Sequence, residues 1–159
     1  MSINTAGLTE VSSLIAKLGD KAQDVAAGSL YDGAAIVADA FTAAANSIRT
    51  EPFRYAYGNR KRLASPEEKA ALVGKSGVAK FRKNGSEVDT LVGISGSAGY
   101  ADVAGKAKAV RLIARSINSG TSFMVKQPVF RKAKSASQGA AKAAVIAKAE
   151  KMFDEIING

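Results

Sequence analysis

The sequence contains no cysteine, no histidine and no tryptophan, and it has only 3 prolines. Without cysteine the chain has neither a disulfide framework nor a thiolate metal site. Without histidine it lacks the commonest acid–base group of enzymes and the commonest metal ligand. A nucleophile activated by a histidine base is therefore excluded.

The acidic residues do not replace histidine as candidates for acid–base catalysis. Acidic residues cluster at one helix start, at Glu67 and Glu68, and near the C-terminus, at Glu150, Asp154 and Glu155. Nothing in these surroundings predicts the desolvated setting that tunes a carboxylate for acid–base catalysis. We therefore expect a protein that is not an enzyme and uses no cofactor or metal ion.

Long apolar runs are lacking as well. No run approaches the roughly 18 residues of a membrane span. Residues 1–10 have neither the basic segment nor the apolar segment of a signal peptide. We expect a protein that is made in the cytoplasm and does not enter a membrane.

Positive charge is abundant, since 23 Lys and Arg face 14 Asp and Glu and give a formal charge of +9. Such a balance attracts nucleic acid, anionic membrane surfaces or acidic proteins. Because the cations are spread along the chain, a plain Lys-rich surface explains the charge equally well. Residues 54–62 interleave basic and aromatic side chains, which suits base stacking. We favour the other interpretation, a loop whose aromatic residues pack on the body or on a neighbouring subunit.

The length of 159 residues suits a single domain, 1–159, with its own core. Apolar residues recur at three- and four-residue spacing from about 7 to 27 and from about 29 to 48, which predicts a helical pair within 7–48. A variable loop and a short helix occupy 50–76. Ser65-Pro66-Glu67-Glu68 marks the start of that helix, with Ser65 as its N-cap.

The strongest strand signal lies in 77–95. Two alternating runs flank Asn84-Gly85, and Asn-Gly suits the tight turn of a hairpin. The Gly- and Ala-rich residues 95–108, with Tyr100 near the middle, predict a flexible loop that becomes ordered on assembly.

Residues 109–128 are the least generic part of the chain. They predict a helix that ends at Gly120, then an extended crossing, then a new helix at Pro128. The final helix spans 129–157 and is predicted to pack on the sheet, with a Lys- and Ala-rich helix lying on DNA as the alternative. The predicted fold class is α+β: a small antiparallel sheet with a central hairpin, packed by N-terminal helices and a C-terminal helix.

This same region resembles a known family. Ser119-Gly120-Thr121-Ser122, followed by Pro128-Val129-Phe130-Arg131 and a basic helix, is similar to the C-terminal signature of the minor tail, or tail-completion, proteins of long-tailed bacteriophages. The order of an N-terminal helical pair, a central β region and a C-terminal helix resembles that family along the whole chain.

The resemblance implies a structural virion protein at the head–tail junction or neck, made in the host cytoplasm. It implies a homo-oligomeric, six-fold ring that completes or terminates the tail. Its partners would be the tail-tube protein and a head-side connector or stopper protein, with passing contact to DNA in the channel and none to a membrane. The alternative is a basic nucleic-acid-binding protein of a phage or bacterium.

Subunit contacts are predicted in three segments: the hairpin arm 81–88, the loop 95–108 and the crossing 120–127. Pro128 and Phe130 are expected to seat the crossing on the core. The predicted interface residues are Phe81, Asn84, Gly85, Tyr100, Gly120, Thr121, Phe123, Met124, Pro128, Phe130 and Arg131.

Overall fold

A computed structural model describes residues 6–52, 61–84, 87–101 and 107–158. The chain is mixed helix and strand, as predicted. Its elements, in chain order, are α1 (Ala6–Asn46), α2 (Pro66–Ala70), β1 (Ser76–Val78), β2 (Arg82–Asn84), β3 (Glu87–Asp89), β4 (Val92–Ile94), β5 (Ser97–Ala101), β6 (Ala107–Ala109), α3 (Val110–Ser119) and α4 (Val129–Asn158). None of the described helices is long and apolar enough to cross a membrane.

The predicted pair of N-terminal helices is one continuous helix, α1, so the predicted break near residue 28 is wrong. Gly28 and Gly33 both face α4. A Cβ on Gly33 would lie 2.4 Å from Val145 Cγ2 and 2.9 Å from the carbonyl oxygen of Ala141. The two helices therefore approach closely at these glycines. The close packing compensates for the roughly 1 kcal/mol of helix propensity that a glycine loses.

Helices α1 and α4 run antiparallel, since Phe41 contacts Phe130 at one end and Gly28 lies near Met152 at the other. The last helix was predicted to pack on the sheet, and it packs on α1 instead. Both elements are rich in Ala and Gly, and small side chains let two helices pack along their length. At 1.5 Å per residue, the end of α4 is level with about residue 22 of α1. The first part of α1 thus extends beyond α4.

The hairpin is present but bent. Strand β1 pairs antiparallel with β4, with Val78 opposite Val92, and β2 pairs with β3, with Arg82 opposite Asp89. Between these two strand pairs, the first arm of the hairpin has three residues, 79–81, and the second arm has two, 90–91. One extra residue on one arm is the pattern of a β-bulge. Asn84 pairs with Glu87, so it belongs to a strand rather than to the centre of the turn. Gly85 lies outside the described residues.

Residues 95–108 were predicted to be a flexible loop, and this prediction is wrong in part. β5 pairs antiparallel with β6, with Ser97 opposite Ala109. Ala98 is buried in the core. Alanine and glycine carry little strand propensity, so the pairing leaves no strong pattern in the sequence. The three strand pairs form separate two-stranded sheets rather than one.

The main core lies where the end of α1, α2, α3 and the crossing meet. Its largest fully buried side chains are Ile48, Leu72, Val110, Ile113, Ile117 and Met124. The predicted start of α2 is confirmed: Ser65 and Glu68 form a reciprocal capping box, with Pro66 as the first helical residue.

Candidate functional site

The crossing between α3 and α4 begins at Gly120, which has φ 75° and ψ 169°. This φ is one that side-chain-bearing residues rarely adopt. A Cβ here would lie 3.0 Å from Lys126 Cβ and 3.1 Å from the Lys126 backbone nitrogen. The Gly120 N–H donates to the carbonyl of Ser116 at 2.8 Å and closes α3. The predicted helix end at Gly120 is therefore confirmed.

A turn follows at once. The Thr121 hydroxyl accepts from the N–H groups of Phe123 at 3.3 Å and Met124 at 3.0 Å. The Thr121 N–H donates to the carbonyl of Met124 at 3.1 Å. Such local side-chain bonds are how threonine stabilises a turn. The turn leaves Phe123 half exposed and buries Met124.

Gln127 joins the crossing to the chain after α1. Its Oε1 accepts from the N–H of Arg49 at 2.9 Å, and its Nε2 donates to the carbonyl of Arg49 at 3.0 Å. The Gln127 N–H donates to the carbonyl of Ile117 at 2.8 Å. Since Gln127 is only 5% exposed, each of these bonds satisfies a group that would otherwise be buried without a partner. The sequence predicts an extended crossing here, but no local pattern predicts the contact of Gln127 with Arg49.

Arg62 holds the crossing from its other side. Its N–H donates to the carbonyl of Phe123 at 2.9 Å, and its carbonyl accepts from the N–H of Val125 at 2.8 Å. The Arg62 guanidinium also lies 5.9 Å from the centre of the Phe123 ring. The role of Arg62 is thus structural, which removes it from the basic and aromatic cluster suggested for base stacking. Residues 54–60 of that cluster lie outside the described residues.

The same guanidinium forms two hydrogen bonds to the carboxylate of Glu68, at 2.8 and 2.9 Å. The Ser65 N–H donates to Glu68 Oε2 at 2.9 Å, and Lys108 Nζ lies 3.9 Å from Oε1. Burial by itself raises the pKa of Glu68. The hydrogen bonds from Arg62 and Ser65 and the charges of Arg62 and Lys108 outweigh burial and lower that pKa below its ordinary value.

The first turn of α4 is also held in place. The Arg131 N–H donates to Asn118 Oδ1 at 3.2 Å, and the Phe130 ring meets Phe41 edge to face at 5.8 Å. Phe130 is buried and seats the crossing on the core as expected, while Pro128 is half-buried.

The predicted interface residues therefore divide into two groups. Met124 and Phe130 face the core of their own chain, so they are corrected from interface to core residues. Phe123 and Arg131 are exposed, and Gly120 and Thr121 are half-buried. In the hairpin, Phe81 packs on Tyr31 of α1, with ring centres 6.3 Å apart. Asn84 lies in β2 and Tyr100 in β5.

A further surface was not predicted. Helix α1, helix α4 and the second half of the hairpin enclose an open groove of about 790 Å³. We call it the apolar groove and define it by Leu30, Val37, Leu91, Val92, Val145 and Ile146. Leu91 and Ile146 are each 57% exposed. No local pattern reveals the groove, because its residues come from three separate parts of the chain.

Among the described residues, no group of three or more Asp or Glu side chains is arranged to hold a metal ion. No protein-family model matches the chain, and neither a curated protein nor a solved structure matches it.

Proposed function

We propose that the protein is a structural component of a bacteriophage virion that forms or completes a ring at the head-proximal end of the tail. The assignment to a phage tail rests on the resemblance of the 119–131 segment to tail-completion proteins. The assignment to an assembly rests on the surface of the molecule.

Exposed apolar side chains are the observation that carries the proposal. Leu91 and Ile146 are each 57% exposed at the apolar groove, and Phe123 is 50% exposed at the crossing. Apolar side chains that are exposed together in this way mark sites of protein–protein contact.

The apolar groove and the exposed side of the crossing supply contacts for neighbouring copies. The groove is lined by α1, residues 90–92 and α4, whereas Phe123 belongs to the crossing that precedes α4, beside the core. Because these are different patches, a contact that joins the groove of one copy to the crossing of the next is a head-to-tail contact. Contacts of that kind close into rings when the rotation between copies is a simple fraction of a turn.

A complementation experiment tests this function. Phage that lack the protein are supplied with wild-type protein or with Phe123→Ser, and the yield of heads joined to tails is counted by electron microscopy. Leu112→Ser is the matched control, since Leu112 and Phe123 are each 50% exposed. We expect Phe123→Ser to lower the yield of joined particles at least about tenfold, which corresponds to about 1.4 kcal/mol of lost association energy. Normal joining with Phe123→Ser, or equal losses in both variants, would contradict the placement of the interface.

A further inference from the structure

Charge is divided unevenly along this chain. Between Val103 and Ala149 the sequence contains no Asp and no Glu. That stretch accounts for all of the net positive charge of the protein. Its cations are Lys106, Lys108, Arg111, Arg115, Lys126, Arg131, Lys132, Lys134, Lys142 and Lys148.

The fold gathers five of these residues beside the crossing. Arg111 and Arg115 line a hollow of about 320 Å³ against α3. Lys126, Arg131 and Lys132 line a neighbouring hollow of about 580 Å³ at the start of α4. The hydrogen bond from the Arg131 N–H to Asn118 joins the two, because Asn118 lines the first hollow and Arg131 the second. We call these five residues the cationic face.

All five side chains are exposed. Within the part of the chain that the structure describes, none of them forms an ion pair, whereas Lys108 is directed at Glu68. None of the described residues that line either hollow is acidic. Like charges that line neighbouring hollows repel one another, and an anionic ligand relieves the repulsion.

We propose that the cationic face binds the phosphate backbone of double-stranded DNA without sequence preference. Lys and Arg that neutralise phosphates supply most of the affinity in binding of this kind. Among the described residues, the larger hollow offers only Pro128 and Ala136 as apolar contacts. The apolar residues that line the smaller hollow, Phe41, Ile94, Ala114 and Phe130, are buried or half-buried. Neither hollow therefore presents the exposed hydrophobic centre typical of a protein–protein interface. That composition favours DNA over an acidic protein. The inference goes beyond the proposed function, because it requires no second copy of the chain.

The test measures binding of the full chain to a labelled duplex of about 30 base pairs by fluorescence anisotropy, between about 50 and 200 mM salt. The test variant combines Arg115→Gln, Lys126→Gln and Arg131→Gln. The control combines Lys21→Gln, Lys80→Gln and Lys151→Gln, which removes the same charge from exposed positions elsewhere. Loss of three phosphate contacts lowers the slope of log affinity against log salt by about 2.7.

We also expect the test variant to bind at least about tenfold more weakly at about 50 mM salt, and the control to stay within about threefold of wild type. Duplexes of unrelated sequence should bind with equal affinity. A second variant, Arg111→Gln combined with Lys132→Gln, should lower the slope by about 1.8. It replaces the first variant in the test if the first variant melts at a lower temperature than wild type.

Three results would overturn the inference. The first is no DNA binding by the wild-type protein at about 50 mM salt, and the second is an equal loss of DNA affinity in the test and control variants. The third is stronger competition by polyglutamate than by unlabelled DNA at equal charge. The last result would assign the face to an acidic protein. Size-exclusion chromatography of the same samples measures their oligomeric state, so a loss of DNA binding can be told apart from a loss of assembly.

Discussion

The two halves of the α1–α4 pair differ in what surrounds them. At one end, the core end, the start of α4 and the end of α1 meet α3 and the crossing around Ile48, Ile113 and Ile117, all at most 2% exposed. At the other end, the helical arm, the α1 residues described as buried are the small Val25, Ser29 and Ala34, and Ile146, Phe153 and Ile157 of α4 are exposed. The core end is packed as a domain core is, whereas the arm exposes apolar side chains that we propose meet a neighbouring copy.

The first and largest prediction concerns the buried ion pair of the core end. Arg62→Met leaves the Glu68 carboxylate buried without its partner, and we expect a loss of about 3–5 kcal/mol in the free energy of unfolding. Urea denaturation measures this loss. Arg62→Met combined with Glu68→Leu should recover much of it, since no uncompensated charge remains. A loss below about 1 kcal/mol in the single variant would show that the pair behaves like a surface pair.

The second prediction compares the two halves directly. Ile117→Ala removes buried side-chain volume from the core end and should cost about 2–5 kcal/mol. Ile146→Ala changes a side chain that is 57% exposed, and should cost less than about 0.5 kcal/mol in the isolated chain. Thermal and urea unfolding measure both values. Similar losses in the two variants would mean that the arm is packed as firmly as the core.

The third prediction concerns the link between the crossing and the end of α1. Gln127→Ala leaves the N–H and carbonyl of Arg49 without their partner, which we expect to cost about 1–3 kcal/mol. Gln138→Ala, at an exposed position on α4, is the matched control and should have little effect. Amide hydrogen exchange of Arg49 gives a local measurement, and unchanged protection in Gln127→Ala would rule out the link.

The smallest expected effect is a pH dependence of the core end. The pKa of Glu68 is lower in the folded protein than the ordinary value of 4.5, so the unfolded chain takes up the proton first. The stabilisation is therefore complete above about pH 4.5 and is lost as pH falls through the folded-state pKa. Urea midpoints between pH 6 and pH 3 should fall less steeply for Glu68→Gln than for wild type. Glu155→Gln, an exposed control, should follow the wild-type curve, and equal slopes in all three proteins would contradict the assignment.

Short sequence patterns predicted the helix ends and caps that depend on a few neighbouring residues. Gly120 ends α3 because its φ is positive, and Ser65 with Glu68 caps α2; each feature depends on a few neighbouring residues. The continuity of α1 through Gly28 and Gly33 depends on α4, more than 100 residues away, so no window of sequence reveals it.

The candidate site follows the same division. The sequence indicated the crossing, but only the fold shows that Met124 faces inward while Phe123 faces outward. The apolar groove combines side chains from α1, from residues 90–92 of the hairpin and from α4, which share no sequence pattern. The uneven division of charge was visible in the sequence, yet its gathering into one face required α3 and α4 to be placed side by side.

Sedimentation velocity is the most direct test of the claim that the apolar groove is covered by a second copy of the chain. It is run at rising protein concentration, alone and with purified tails, on wild type and on Leu91→Lys. The wild-type protein is expected to form oligomers and to bind tails. The Leu91→Lys variant should stay folded and monomeric, because a charge in the groove opposes association without disturbing the core. A wild-type protein that sediments as a 16.4 kDa monomer both alone and with tails would contradict the account.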